Sequence, residues 1–465
     1  SYFTIEALED GLTANLSAVK CEYRIDNGSW NTLYSGGYTP SINKGQTLSF
    51  RGNLTPEPAD YTGIGIFRVN KAFNVVGNIM SLLYGDDFEG QTDLSGKECV
   101  FRDLFWGCTT LQNAENLILP ATALADYCYS YMFQNCSNLT TAPELPATTL
   151  VDYCYEYMFK GCTSLTTAPE LPATTLAEYC YSSMFEGCTS LTEAPQLPAT
   201  TLAVSCYYSM FDNTNVLPDC SNIDFSNVEV VASGGLEGLF VGTKVTDADL
   251  ERILPKNNEG KYCLPVTTLS RSCYSLMFQN CTSLTTAPEL PATTLANSCY
   301  YNMFYNCSKL NYIKILATDI SAKYCLNGWV KGVASTGTFV KHKDMVSLPS
   351  GVDGIPNGWT VEDYNVTTND PFNGHEYVDL GLPSGTLWAT KVIGGDNPLY
   401  FQWGDTEGWT TEQINNGEKA FAYDYSDYKW NEGEFTGDDS EMTKYNSEDG
   451  KTVLDLEDDA AHVLM

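Results

Sequence analysis

The sequence has few of the features that mark enzymes, nucleic-acid-binding proteins or membrane-spanning proteins. Lysine and arginine number 25 against 58 aspartates and glutamates, and the formal charge of −33 would repel both nucleic acids and anionic membranes. No apolar run approaches the roughly 18 residues of a transmembrane helix. P-loop, dinucleotide-binding, G-x-S-x-G and H-E-x-x-H motifs are all missing from the 465 residues. We therefore expect no nucleic-acid partner and no transmembrane segment.

What the sequence does contain is an internal repeat. LPATTLVDYCYEYMFKGCTSLTTAPE, LPATTLAEYCYSSMFEGCTSLTEAPQ and LPATTLAVSCYYSMF follow one another directly. A phenylalanine marker recurs every 26 residues, at Phe133, Phe159, Phe185 and Phe211. The repeats run from about residue 75 to about residue 360, with a degenerate stretch at about 215–262. One such unit cannot bury an apolar face alone, so the repeats predict a stacked solenoid.

Each repeat divides into two periodicities. Leu150, Cys154, Met158 and Cys162 recur every fourth residue, which predicts one face of a short helix that ends near Gly161. An extended run follows, and Pro169 limits the predicted strand to residues 164–168. The expected fold class is therefore an α/β repeat, a solenoid of about 26-residue strand-plus-short-helix units.

The repeat pattern resembles that of a known family. C-Y-x-x-M-F-x-x-C-x-x-L-x-x-x-P-x-L-P-A-T-x-L is similar to the BspA-like leucine-rich repeats of surface proteins from Bacteroidota. This resemblance implies a leucine-rich-repeat solenoid on the cell surface, anchored in the outer membrane through a lipid upstream of Ser1. It also implies adhesion, and it brings no catalytic residues with it.

Both ends of the chain differ in character from the repeats. Residues 1–72 alternate apolar and polar side chains around a hairpin signal at Asp26-Asn27-Gly28, which predicts a small β-sandwich capping the solenoid of residues 73–362. Residues 363–465 form an acidic, aromatic-rich module; 21 acidic and 5 basic side chains within 366–465 give a net charge of −16. The segments HEYVDLGLPSGTLWAT, LYFQWGD and LEDDAAH resemble a module of Bacteroidota surface proteins, here an incomplete, partial α+β module.

Pairs of cysteines recur inside the repeats with seven residues between them, as in Cys154/Cys162 and Cys180/Cys188. Eight residues of helix span about 12 Å, too far for a disulfide within one unit. We expect an inward-facing ladder of free cysteines, a pattern that continues past Thr214, which stands at one of these positions. Disulfides between repeats are the first alternative. A metal site is the second, although it lacks a short C-x2-C spacing and nearby histidines.

The repeats differ from one another mainly beside these apolar positions. Tyrosine, serine and asparagine concentrate on the expected outer helical face, a composition typical of recognition surfaces. Free drift of exposed positions is the alternative explanation. The strand side is uniform, with Thr140-Thr141, Thr166-Thr167 and Thr285-Thr286. We therefore place the candidate ligand-binding face on the tyrosine side. Its candidate residues are Tyr131, Tyr157, Tyr208, Tyr301 and Tyr305.

Residues for catalysis or metal binding are scarce. His342, His375 and His462 lie far apart in sequence from any repeated cysteine or serine. Paired carboxylates could hydrolyse glycosides, but a leucine-rich-repeat core offers no obvious cleft for them. The acidic runs at 436–441 and 446–450 lack the calcium-loop spacing and are expected to be solvated loops. We expect no catalytic residue, no cofactor and no metal site.

Three classes of function follow. The first is a non-enzymatic cell-surface binding or adhesion protein whose partner is an extracellular protein or glycan. The second is an accessory surface lipoprotein of an outer-membrane nutrient-uptake complex, with other outer-membrane proteins as partners. The third, an enzyme, is disfavoured. The sequence favours the first.

Overall fold

The computed structural model of this protein describes residues 1–16, 21–34, 36–52, 67–214, 222–257, 259–345 and 348–364, together with four short strands beyond residue 376. The chain divides into two compact units, Ser1–Tyr364 and Asn365–Met465. His375, His462 and the acidic runs at 436–441 and 446–450 lie outside the described residues. Most of the predicted C-terminal module lies outside them as well.

The first unit begins with a mixed β-sheet. Its early strands are β1 Phe3–Ala7, β2 Ala14–Leu16, β3 Cys21–Ile25, β4 Asn31–Leu33, β5 Thr47–Gly52, β6 Phe67–Val69 and β7 Phe73–Asn78, followed by β8 Leu111–Asn113 and β9 Leu117–Ile118. The main sheet has the order β4-β3-β5-β1-β7-β8, β9 also pairs with β7, and β2 pairs with β6. Strands β3 and β4 pair antiparallel across Asp26–Gly28, which confirms the predicted hairpin. Parallel pairing of β7 with β8 and β9 joins this sheet to the first coil of the solenoid.

Helices are few among the described residues. They are α1, Ser81–Tyr84, a 3-10 turn at Gly85–Asp87, and α2, Asp247–Ile253. Helix α2 lies in the degenerate stretch between repeats, where Thr246 and Asp249 form a capping box. The prediction of a short helix in every repeat is therefore wrong for the described part of the chain.

A spiral of overlapping turns stands where the helices were predicted. In residues 125–136, the N–H groups of even-numbered residues donate to the carbonyl three residues earlier, as Met132 does to Tyr129. The N–H groups of odd-numbered residues donate instead to the next coil, as Phe133 does to Met158 at 2.9 Å. This alternation gives every backbone group of the segment a partner, half within the coil and half between coils.

The spiral requires a left-handed residue at every fourth position. Tyr127, Tyr131 and Asn135 have φ values of 57, 61 and 61°, and the same positions are left-handed in later coils. None of the twenty non-glycine residues with positive φ is β-branched, as steric crowding requires. A four-residue turn period and an α-helix both bring residues i, i+4 and i+8 to one face, which is why the apolar spacing predicted a helix.

Aromatic columns form the core of the solenoid. Eight phenylalanine rings stack from coil to coil with centroid distances between 5.4 and 6.5 Å, and Trp329 continues the column beyond Phe304. A second column runs from Phe101 through Tyr129, Tyr155, Tyr181 and Tyr207. All of these side chains are buried. Since each ring contacts one above and one below, the core is continuous along the solenoid.

The cysteine ladder lies beside these columns. All sixteen described cysteines are free, and all but Cys263 are buried, which confirms the prediction for the described residues. The second cysteine of a repeat donates its thiol to the phenylalanine carbonyl of the preceding coil, as Cys188 does to Phe159 at 3.1 Å. Thr214 fills the same position and donates to Phe211 at 2.7 Å. The position therefore selects a small buried side chain with a hydrogen-bond donor.

Regular strands of the solenoid are concentrated after the uniform repeats. They are β10 Thr201–Leu202, β11 Val230–Val231, β12 Tyr312–Ile315, β13 Thr338–His342 and β14 Thr360–Tyr364, all paired parallel. The strand predicted at residues 164–168 does not form. There the coils are joined by isolated backbone bonds and by threonine hydroxyls, as both the N–H and the hydroxyl of Thr192 donate to the Thr166 carbonyl at 3.0 Å. In the second unit, Tyr377–Asp379 (β15) pairs antiparallel with Leu387–Ala389 (β16), and Leu399–Tyr400 (β17) with Trp409–Thr410 (β18).

The left-handed positions make a testable prediction at Gly187, where φ is 73°. A Cβ there would meet only the Gly161 backbone, at 3.8 Å, so substitutions report the backbone conformation rather than a clash. Gly187→Val should cost about 1–3 kcal/mol, because a β-branched residue is strained at positive φ. Gly187→Asn is the matched control, since Asn135 and Asn213 occupy the equivalent positions. Thermal unfolding should show a clearly lower Tm for the valine variant; equal Tm values would favour a helix instead.

The cysteine ladder makes a second prediction. Thiol titration of the denatured, unreduced protein should find at least the sixteen free thiols. The native protein should react slowly, because burial raises the pKa of Cys128, Cys180 and Cys188 to about 12 and leaves little thiolate. One thiol or none after denaturation would contradict the ladder and favour disulfides between coils.

Candidate binding surface

Left-handed residues place tyrosine side chains in two surface columns on the outer side of the turn spiral. In the first column, Tyr127, Tyr153 and Tyr179 stack with centroid distances of 4.5 and 5.0 Å and interplanar angles of 7 and 8°. In the second column, the ring centroids of Tyr131 and Tyr157 lie 4.8 Å apart and the ring planes are tilted by 30°. All five rings are half-buried, and because the columns start four residues apart they run side by side across the coils.

The tyrosines predicted from the sequence occupy three different positions of the repeat. Tyr131 and Tyr157 are equivalent and in contact. Tyr208 and Tyr301 stand one residue earlier in their coils, and Tyr305 stands four residues after Tyr301. The structure therefore brings together Tyr131 and Tyr157, whereas Tyr301 and Tyr305 lie in a coil beyond the degenerate stretch. All five are half-buried on the turn side of the solenoid.

The first column was missed from the sequence. Tyr127, Tyr153 and Tyr179 hardly vary between neighbouring repeats, so a comparison that sought variable positions passed over them. The available signal was their position four residues before Tyr131, Tyr157 and Ser183, which fixes the same left-handed, outward orientation.

Glu156 lies in the chain between Tyr153 and Tyr157, and its charge acts on the tyrosines of both columns. It is 9% exposed, and its neighbours at the equivalent positions are the buried Ser130 and Ser182. No described group donates a hydrogen bond to its carboxylate or lies within ion-pair distance of it; its electrostatic influence falls on Arg102 and the surrounding tyrosines. Burial of this residue disfavours its charged form, which singles out Glu156 on this surface.

Burial sets the protonation behaviour of the surface. It raises the pKa of Glu156 to about 7, although the positive charge of Arg102 opposes the shift. Two coils before and two coils after Glu156, burial also raises the pKa of Asp103 and of Asp212 to about 6. The pKa of Tyr153 rises to about 12 through burial and the charge of Glu178, so its phenol stays protonated at neutral pH.

The protein's own cations lie against these tyrosines. The Arg102 guanidinium lies 5.6 Å from the ring centroid of Tyr127 and 5.2 Å from that of Tyr131. The Lys160 ammonium lies 4.8 Å from the Tyr157 ring and 2.9 Å from a Glu186 carboxylate oxygen. Farther along, the ammonium of Lys331 lies 5.2 Å from the Tyr305 ring. The turn side thus combines aromatic faces with cations and carboxylates at cation–π distances.

The opposite side carries an open groove of about 500 Å³. It is lined by two consecutive coils, through residues 167–172 and 193–198, and by Asn222. Proline, glutamate and alanine make up most of its lining, and no aromatic side chain contributes. The groove therefore lacks the tyrosine, tryptophan and arginine anchors that dominate binding energy.

The structure offers little support for other kinds of site. Within the described residues no group of three or more histidine, cysteine or acidic side chains could hold a metal ion. His342 lies in β13, where its Nδ1 accepts the Asp344 N–H at 3.1 Å. None of the described helices is both long and apolar enough to span a membrane.

Glu156 makes a prediction about stability. Because the pKa of the Glu156 carboxyl is raised in the folded state, its protonated form stabilises the fold. This contribution to stability is complete below the pKa of the unfolded chain, and it is lost as pH rises through about 7. Glu156→Gln should therefore stabilise the protein relative to wild type by about 2 kcal/mol above neutral pH, and by much less near pH 5. Glu144→Gln, at an exposed carboxylate, is the charge-matched control and should give the same Tm difference at both pH values. If the Tm difference of Glu156→Gln were as independent of pH as that of Glu144→Gln, Glu156 would be solvated like an exposed carboxylate.

Among the comparisons with known proteins, only a family model of the repeats matches this chain. No curated protein and no solved structure matches the chain significantly. A family model described as BspA type leucine rich repeat region matches residues 100–223 and 266–327, in 6 copies. These segments contain the turn spiral, both tyrosine columns and the cysteine ladder. The repeat region of this chain is thus similar to the BspA-type leucine-rich repeat.

Proposed function

We propose that this protein is a non-enzymatic binding or adhesion protein that recognises an extracellular protein or glycan through its turn side. The observation that carries the proposal is the pair of stacked tyrosine columns, Tyr127/Tyr153/Tyr179 and Tyr131/Tyr157, held on a rigid repeated backbone. Rigid aromatic side chains give large contact area at low entropic cost, and tyrosine is enriched among binding hot spots. The similarity to BspA-type repeats supports a binding scaffold.

We further propose display at the cell surface through a lipid anchor. This part rests on the resemblance to surface proteins with such repeats. Buried cysteines are compatible with it, since burial and a raised pKa protect a thiol from oxidation outside the cell. When intact cells of the native host are treated with a protease, the protein should be degraded. Full protection of the protein from the protease would contradict surface display.

The binding face can be tested with substitutions to residues that other repeats of this chain carry at the same position. Tyr131→Ser and Tyr157→Ser introduce the residue that occupies the same left-handed position at Ser183 and Ser209, so the fold should tolerate them. On an array of glycans and immobilised extracellular proteins, the double variant should lose about tenfold or more in affinity for every ligand of the wild type.

The matched control lies on the opposite side, at exposed Thr140 and Thr166. Thr140→Lys with Thr166→Lys should leave array binding unchanged. Loss of binding in the lysine variant alone, with both variants folded by circular dichroism, would move recognition to the threonine side.

A further inference from the structure

The chemistry between the tyrosine columns narrows the kind of ligand. Glu156 is nine-tenths buried, lies between Tyr153 and Tyr157, and accepts no hydrogen bond from a described residue. Its charge acts on the phenols of both columns, including Tyr127 and Tyr131. A carboxylate whose charge acts on tyrosines of two neighbouring columns is suited to a cation, because ring faces and a carboxylate both attract positive charge.

The protein already places a cation against the same columns. Arg102 stands at the position equivalent to Glu156 two coils earlier, and its guanidinium lies against the first ring of each column, Tyr127 and Tyr131. In the next coil the equivalent residue is Ser130, whose side chain is too short to reach the rings of Tyr153 and Tyr157. A guanidinium therefore has the right size for these columns, and the protein supplies one only at their N-terminal end.

Charge over the surrounding coils favours a basic partner. Residues 97–212 hold twelve acidic and three basic side chains, and two of the basic ones, Arg102 and Lys160, already lie against tyrosines. An excess of one charge sign steers an oppositely charged partner and repels one of the same sign.

We propose that the slot between the two tyrosine columns, with Glu156 at its base, binds a lysine or arginine side chain from a basic segment of a partner protein. This rests on the proposed function and names its ligand class. Glu237 provides the internal contrast: it occupies the same repeat position, but it lies between Gly234 and Gly238 and already accepts a hydrogen bond from Ser275 at 3.0 Å.

The test uses the full chain and an immobilised peptide of alternating lysine and glycine at physiological salt. Wild type should bind it, and Glu156→Gln should weaken binding about tenfold, the size expected for losing a charge beside a desolvated cation–π contact. Tyr153→Ser with Tyr157→Ser should have a similar effect, using serines found at equivalent positions. Glu237→Gln removes the same charge from the same repeat position and should change the affinity less than about twofold.

A pH series gives a readout that general charge attraction would not. The groups that face Glu156 are Arg102 and the phenols of Tyr127, Tyr131, Tyr153 and Tyr157, with Asp103 next to Arg102 two coils earlier. A cation binds the ionised carboxylate, so wild-type affinity should rise as pH increases through about 7, the pKa of Glu156. Glu156→Gln should flatten this rise and Glu237→Gln should retain it.

Each outcome separates this proposal from the proposed function. Equal losses in Glu156→Gln and Glu237→Gln would mean non-specific attraction to an acidic surface, and would overturn the slot. Tyrosine-dependent binding of a neutral oligosaccharide without binding of the lysine peptide would also overturn it, while leaving the proposed function intact. Failure of the wild type to bind any array ligand would count against the proposed function itself.

Discussion

Every part of the solenoid depends on a left-handed residue at every fourth position of the turn spiral. This residue allows alternate N–H groups to point along the solenoid axis while the others close turns within the coil. Within residues 127–136 every backbone N–H donates in one of these two ways. The coil therefore cannot exist alone, because half of its hydrogen bonds belong to its neighbours, and cooperativity along the axis follows directly from the backbone.

The same constraint divides the side chains into inward and outward sets. Phenylalanine, methionine and cysteine fill the inward positions and stack on their equivalents, whereas the left-handed tyrosines of the two surface columns are half-buried on the outer side. Stacking within the core is strong enough to outweigh a polar cost: the buried hydroxyls of Tyr129, Tyr207 and Tyr300 have no hydrogen-bond partner among the described residues. Each such hydroxyl costs about 1–3 kcal/mol, so the ring contacts between coils must outweigh it.

Much of the fold could be predicted from the repeat, since the 26-residue period and the apolar markers require stacked units. The class of local structure could not be read from apolar spacing, because residues four apart share a face in both an α-helix and a four-residue turn. Asn135, Gly161, Gly187 and Asn213 at equivalent positions were the distinguishing signal, as only left-handed backbone favours this pair of residues. The candidate site was predicted in part: Tyr131 and Tyr157 are together, but Glu156 stood out only once burial was known.

The residue type varies along the column of equivalent positions that contains Glu156, because the backbone does not constrain the side chain there. Arg102, Ser130, Glu156, Ser182 and Tyr208 succeed one another there, although inward neighbours such as the phenylalanines are uniform. This residue does not have a positive φ and lies in the chain between two left-handed positions, so neither a left-handed backbone nor core volume fixes its side chain. A half-buried position that tolerates arginine, serine, glutamate and tyrosine can change its charge without changing the fold. In such a solenoid, ligand choice therefore depends on a column of positions whose residue type folding does not constrain. The columns on either side of it are constrained by folding.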